Sequence, residues 1–103
     1  MQLRDKDKQM IIQVARQSFT QPVKIWAFGS RVNGQAHEGS DLDLVVIPSD
    51  EKSIDFDEFT DFKERLTEST IPILIQVMDW NRITESFKEN ILTAYVELVE
   101  LDK

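Results

Sequence analysis

The chain contains no cysteine, one histidine, three glycines, three prolines and no long apolar run. Without cysteine there is no disulfide and no thiolate chemistry, which fits a reducing compartment without proving one. No stretch approaches the ~20 apolar residues of a membrane-spanning helix. The N-terminus, M-Q-L-R-D-K-D-K, is too polar for a secretory leader. A cytoplasmic protein with no membrane contact is therefore expected. Basic residues are also scarce: 12 Lys and Arg face 19 Asp and Glu, for a net charge of −7 and a pI of about 4.6. Affinity for a phosphate backbone rests on clustered Lys and Arg, so no nucleic acid is expected as a ligand. An acidic surface could suit a basic protein partner, although acidity alone is commonplace. Repeats, low-complexity tracts and linkers are absent as well.

What remains is an ordinary globular composition, 41% hydrophobic and 30% charged. At 103 residues the chain is read as one domain, with a core large enough to fold alone and no room for a second. Met10, Ile11, Val14, Ala15 and Ser18 recur at helical spacing and predict a helix over 5–18, ended by Thr20-Gln21-Pro22. Val23 to Phe28 reads as a strand bounded by Pro22 and Gly29, with Trp26 and Phe28 on one face and Ile25 and Ala27 on the other. Both faces look covered, as for a central strand. Ser30 to Asn33 fits a short helical turn, residues 34–40 a loop, and Asp41 to Ile47 a second strand ended by Pro48.

Asp50 to Ser53 is a polar turn. Phe56, Phe59, Phe62 and Leu66 then predict a helix over 55–67, its aromatic stripe in the core and its early acids favoured by the helix dipole. A third strand is expected over 73–78 and a last helix over 84–98, on the spacing of Phe87, Ile91, Leu92, Tyr95, Val96 and Val99. Ser86 to Glu89 also fits a capping box, which would start that helix a turn later. The last helix is more apolar than one buried face requires. The fold class is α/β (α+β): a small mixed sheet of three or four strands with helices packed on it.

One stretch carries chemistry: I-W-A-F-G-S-R-V-N-G-Q-A-H-E-G-S-D-L-D-L-V-V-I, from Ile25 to Ile47. Residues two apart on a strand share a face, about 6.5–7 Å apart at Cα, so Asp41 and Asp43 can converge while Leu42, Leu44 and Val46 face away. Two such carboxylates repel unless a cation lies between them. Mg²⁺ commonly takes one or two carboxylates and leaves its other positions to water and phosphate. A bare D-x-D is more often a turn or cap residue beside a solvated strand residue. Gly29 lets a backbone approach a phosphate closely. A helical turn starting at Ser30 would offer free N–H groups and a hydroxyl. Arg31 could pair with a phosphate or with the aspartates, and Gly34 and Gly39 supply bends. His37 lies in the loop with no partner at ligand spacing, so it is read as a loop residue.

Together these residues form G-S-R-x-x-G-x-A-x-x-x-S-D-L-D-L, from Gly29 to Leu44. The pattern resembles the signature of the minimal nucleotidyltransferase (MNT) domains, small members of the DNA polymerase beta-like nucleotidyltransferase superfamily. It matches at Gly29, Ser30, Gly34, Ser40, Asp41 and Asp43, and continues more loosely through Asp79-Trp80 and Ser86-Phe87-Lys88. The resemblance implies the nucleotidyltransferase fold and antiparallel strands that bring the Gly-Ser turn to the aspartates. It assigns Gly29, Ser30, Arg31 and Ser40 to the nucleoside triphosphate, with ATP the leading candidate, and Asp41 and Asp43 to Mg²⁺ and catalysis. It also implies a small helical HEPN protein as partner, in a two-protein toxin–antitoxin system whose antitoxin half is the MNT domain. Homo- or hetero-oligomers follow from that reading.

The pattern breaks at one position. Members with activity carry a third carboxylate on a neighbouring strand, in a segment that reads like V-D-L-x-D-W. Here that segment is Ile75-Gln76-Val77-Met78-Asp79-Trp80, with Gln76 in place of the carboxylate. Asp79 is an odd step away and points to the other face. An amide carries no charge and takes no proton at neutral pH. If the missing group deprotonates the acceptor, its loss forfeits roughly 10²–10⁴ in rate, about 3–5 kcal/mol of barrier. Two functional readings stay open: Mg-dependent transfer of a nucleoside monophosphate, AMP from ATP, to a hydroxyl on a partner; or a nucleotide-binding antitoxin that acts by contact. A purely structural D-x-D is the third.

Overall fold

The protein was analysed as a computed structural model, which describes residues 2–34, 40–50 and 52–103. His37 and Gly39, and most of the loop expected at 34–40, lie outside the described residues.

Helix α1 (Asp5–Ser18) places Ile11, Val14 and Ala15 in the core. Strand β1 (Val23–Phe28) follows, then the single turn α2 (Ser30–Asn33), strand β2 (Leu42–Pro48) and helix α3 (Phe56–Glu68). Asp55 caps α3, its carboxylate accepting the Glu58 N–H at 3.0 Å. Strand β3 (Ile75–Asp79) leads through a 3₁₀ turn (Trp80–Arg82) to helix α4 (Glu85–Thr93), and strand β4 (Tyr95–Leu101) ends the sheet. Among the described residues no helix is long and apolar enough to cross a membrane.

The sheet has the order β3-β2-β1-β4. β1 pairs antiparallel with β2 and β4, while β2 pairs in parallel with β3 through the α3 crossover. β1 is thus central, and both its faces are covered. Val23, Ile25 and Ala27 join Leu42, Leu44 and Val46 under α1 and α3. Phe28 and Val45 pack with Ile91 of α4 on the other face, bordered by Trp26, Ile47, Met78, Trp80 and Phe87.

The largest departure from expectation is at the C-terminus. The helix expected over 84–98 stops at Thr93, and Ala94 turns into extended backbone (φ −161°, ψ 107°). Residues 95–101 form β4 instead. Tyr95, Val96 and Val99 sit at helical spacing, but the segment Y-V-E-L-V-E-L is also β-branched and aromatic. Pairing with β1 satisfies its backbone and covers the open edge of the central strand. The excess apolar character of the expected helix came from this strand. The helix is capped by Thr84, whose Oγ1 accepts the Phe87 N–H at 3.1 Å, rather than through Ser86 and Glu89. Three members of the expected apolar stripes lie outside the core: Phe56 is 67% exposed, Leu92 52% and Tyr95 41%. β3 begins at Ile75 rather than Ile73, and β2 at Leu42 rather than Asp41.

Candidate functional site

The site residues meet at one end of the sheet. Tyr95, Phe28, Asp43 and Gln76 form a single row across the strands: Phe28 pairs with Tyr95 and with Asp43, and Asp43 with Gln76. The Gly29–Ser30 turn leaves β1 next to Asp43, and Asp41 lies just ahead of β2. The side chains of Asp41, Asp43 and Gln76 share the face that carries α4, because Leu42, Leu44 and Val46 point into the opposite core.

Gly29 is required twice over. Its backbone (φ 85°, ψ −156°) lies in a region open essentially to glycine alone. A Cβ there would stand 2.5 Å from Asp43 Oδ2, so the carboxylate rests directly against the turn. The Gly29 carbonyl accepts the N–H groups of both Val32 and Asn33 at 3.0 Å and starts α2. The first N–H groups of this turn, at Ser30 and Arg31, have no carbonyl one helical turn back to bond.

Burial, and then the charge of Asp41, push the Asp43 carboxyl above the usual carboxylate range. Among the described residues no lysine or arginine pairs with either aspartate. The neighbour that does reach them is Gln76, whose Nε2 donates to Asp41 Oδ2 at 2.9 Å. Gln76, at the position where the sequence pattern expects a third carboxylate, lies opposite Asp43 and bonds to Asp41. No group of three or more His, Cys, Asp or Glu side chains gathers as a metal site among the described residues. Asp41 and Asp43 are the two carboxylates at this end of the sheet whose oxygens could hold a hard cation. A pair of half-buried carboxylates on one face fits such an ion.

Arg31 binds backbone carbonyls on two sides. Its Nε donates to the Ser40 carbonyl at 2.9 Å and a terminal nitrogen to the Gln2 carbonyl at 2.8 Å. It ties the residue preceding Asp41 to α2 and the N-terminus. Ser40 is buried at that junction. Asp79 lies on the α3 side, as its odd step predicts. It accepts the Asn81 N–H at 2.9 Å and approaches Arg82 at 3.8 Å, which makes it a cap. The antiparallel strands bring the Gly-Ser turn to Asp43, as the family resemblance implied, whereas the place of Phe28 directly opposite Asp43 was not foreseen. The length of the link allows the strand ends to meet, but the register that sets Phe28 against Asp43 is fixed only by the pairing of β1 with β2.

A profile described as polymerase beta nucleotidyltransferase matches residues 9–103. The chain belongs to the polymerase beta nucleotidyltransferase family. A probable protein adenylyltransferase, MntA of Haemophilus influenzae, is 38% identical over 93 residues, covering 90% of this chain and 80% of that protein. Among solved structures, a toxin–antitoxin with AMP-PNP superimposes with a TM-score of 0.73 at 19% identity, over 92% of this chain and 74% of that one. A tri-AMPylated Shewanella oneidensis HEPN toxin in complex with an MNT antitoxin gives 0.69 at 15% identity, over 96% and 74%. The structural likenesses establish the nucleotidyltransferase fold, and the family assignment rests on the profile and the curated relative.

Proposed function

We propose that this chain is an MNT-type nucleotidyltransferase that moves AMP from ATP to a hydroxyl on a helical HEPN partner, as the antitoxin half of a cytoplasmic toxin–antitoxin pair. The observation that carries the reading is the contact between Gly29 and the Asp43 carboxylate, with Asp41 on the same face. A glycine turn against a pair of carboxylates is the arrangement a cation-bound triphosphate would need, and it supports this reading. The 38% identical relative, a probable protein adenylyltransferase, supports the transfer. The HEPN complex of the fold relative supports the partner.

Asp41 and Asp43 would hold magnesium, and Gly29 and Ser30 would face the triphosphate. When bound, the cation neutralises phosphate charge and stabilises the attacking and leaving oxygens of an in-line displacement. The acceptor oxygen forms a bond to the α-phosphorus, the bond from that phosphorus to the bridging oxygen breaks, pyrophosphate leaves and the hydroxyl proton passes to solvent. Asp43 is held in place by the turn, and Arg31 keeps Ser40 and Asp41 at the mouth of the loop. Gln76 restrains Asp41 through its amide but takes no proton.

The amide of Gln76 also favours a second reading, a nucleotide-binding antitoxin that silences its partner by contact. Labelled ATP, magnesium and the HEPN partner separate the two. Transfer predicts a covalent AMP adduct on the partner, lost in Asp41→Asn/Asp43→Asn and increased in Gln76→Asp by up to roughly 10²–10⁴ in rate. If the wild type gives no adduct and Gln76→Asp does, contact is the function. Tight partner binding by the double Asn variant, with the toxin still silent, supports the same conclusion.

A further inference from the structure

Asp41 lies just outside the sheet, since β2 begins at Leu42. Its backbone is pinned on both sides. The Leu42 N–H donates to the Leu74 carbonyl at 2.9 Å, and the Ser40 carbonyl accepts from Arg31 Nε at 2.9 Å. The first contact belongs to the meeting of β2 with β3. The second comes from a side chain on α2, so it is only as firm as the hold on Arg31.

α2 supplies little of that hold itself. It is a single turn with no buried residue, and a helix this short cannot partner its own last carbonyls. The N-terminal segment supplies the rest. The Gln2 N–H donates to the Arg31 carbonyl at 3.0 Å, and Arg31 Nη1 donates back to the Gln2 carbonyl at 2.8 Å. Leu3 packs against the main core. Arg4, the residue before α1, grips Asp7 in the first turn of that helix: Nε donates to Oδ2 at 2.9 Å and Nη2 to Oδ1 at 3.2 Å. The Asp7 side chain is only 7% exposed. A carboxylate buried so far is costly unless it is paired, and a two-point guanidinium pair fixes direction as well as charge. A cavity of about 360 Å³ lies between this segment, Arg31 and Pro72–Ile73. Arg31 therefore has room to shift on that side if the segment lets go.

We propose that residues 2–7 form a strap that positions the cation site from outside it. Asp7 fixes Arg4, Arg4 sets the course of Gln2, Gln2 holds Arg31, and Arg31 holds Ser40 beside Asp41. Gln2, Arg4 and Asp7 are positioning residues that touch neither cation nor nucleotide. The inference rests on the reading of Asp41 and Asp43 as cation ligands. It adds a support that lies outside the Gly29 to Leu44 signature.

The test is calorimetric titration with magnesium–ATP, beside amide hydrogen exchange at Leu42 in the metal-free protein. Gln2 acts through its backbone, so Gln2→Ala should match the wild type. Gln2→Pro removes the N–H donor. It should weaken magnesium–ATP by about 10–100-fold, the usual effect of losing outer support for a metal ligand. Arg4→Ala/Asp7→Ala removes the pair without leaving a buried charge alone, and it should do the same. Arg4→Lys keeps one charged contact and should retain most of the affinity. Both weakened variants should also exchange faster at Leu42. Asp55→Ala, which removes the cap of α3, controls for lost stability and should bind as the wild type does. Wild-type affinity in Gln2→Pro, or in the double Ala variant, overturns the strap, and so does an equal loss in Asp55→Ala. If the wild type does not bind magnesium–ATP, the cation reading falls and exchange decides the strap. Faster exchange at Leu42 in Gln2→Pro then sustains the hold on Asp41, and unchanged exchange overturns it.

Discussion

Gly29 is the residue on which the site depends most. Its substitution by alanine meets a backbone conformation that costs about 1–3 kcal/mol for any other residue, and a methyl group 2.5 Å from Asp43 Oδ2. Gly29→Ala should lower the melting temperature and abolish magnesium–triphosphate binding together, measured by thermal denaturation and calorimetry. Asp43 has the opposite balance. Burial and Asp41 both disfavour its charge, so the ionised carboxylate opposes stability. Asp43→Asn should raise the melting temperature of the metal-free protein by about 2–4 °C, near 0.5 kcal/mol after discounting for solvent screening. The variant should also lose the stabilisation that the wild type gains from magnesium. A metal-free Asn variant that melts below the wild type would contradict this account of the pair.

At the scale of elements, the site is a junction of strand ends. The antiparallel pairing of β1 and β2 sets Gly29 against Asp43, and the parallel pairing of β2 and β3 sets Gln76 beside them. Helix α3 supplies the crossover that makes the parallel pair possible, and it lies on the far face from the carboxylates. Its Asp55 cap is remote from the chemistry. Asp55→Ala should cost about 1 kcal/mol, or about 4–8 °C in melting temperature, with nucleotide affinity unchanged. A loss of affinity in that variant would mean that α3 reaches the site through β3. The stacked pair of Trp26 and Tyr95, with centroids 4.0 Å apart, joins β1 to β4 at the end row and keeps the edge strand in register there.

For the whole molecule, charge is the controlling quantity. A net charge of −7 on 103 residues opposes any phosphate polymer. At low salt, about 50 mM, single-stranded RNA and duplex DNA should fail to shift the protein in a native gel. A shift at that salt would call for a basic patch that the chain's charges do not provide. The same balance suits an acceptor carried by a protein, whose surface can supply the complementary charge. The fold is built so that one face of the sheet holds the main core under α1 and α3. The other face is divided between α4 and the site.

Much of this was legible in order along the chain. The bounds of α1, β1 and α2 follow from periodicity and from Pro22 and Gly29. The opposite faces of Gln76 and Asp79 follow from counting along a strand. The family signature from Gly29 to Leu44 is a property of the amino acids alone. The sequence by itself determined which residue types were available: a Gly-Ser bend, two aspartates and no third carboxylate at 76. The tertiary structure decided which of them touch. Arg31 turns to the carbonyls of Ser40 and Gln2 because the loop end and the N-terminus both pass beside it. Residues 95–101 become a strand because the open edge of β1 rewards pairing, which helical spacing cannot reveal. Periodicity reports local preference, whereas hydrogen-bond partners from distant segments are fixed only when the chain closes on itself.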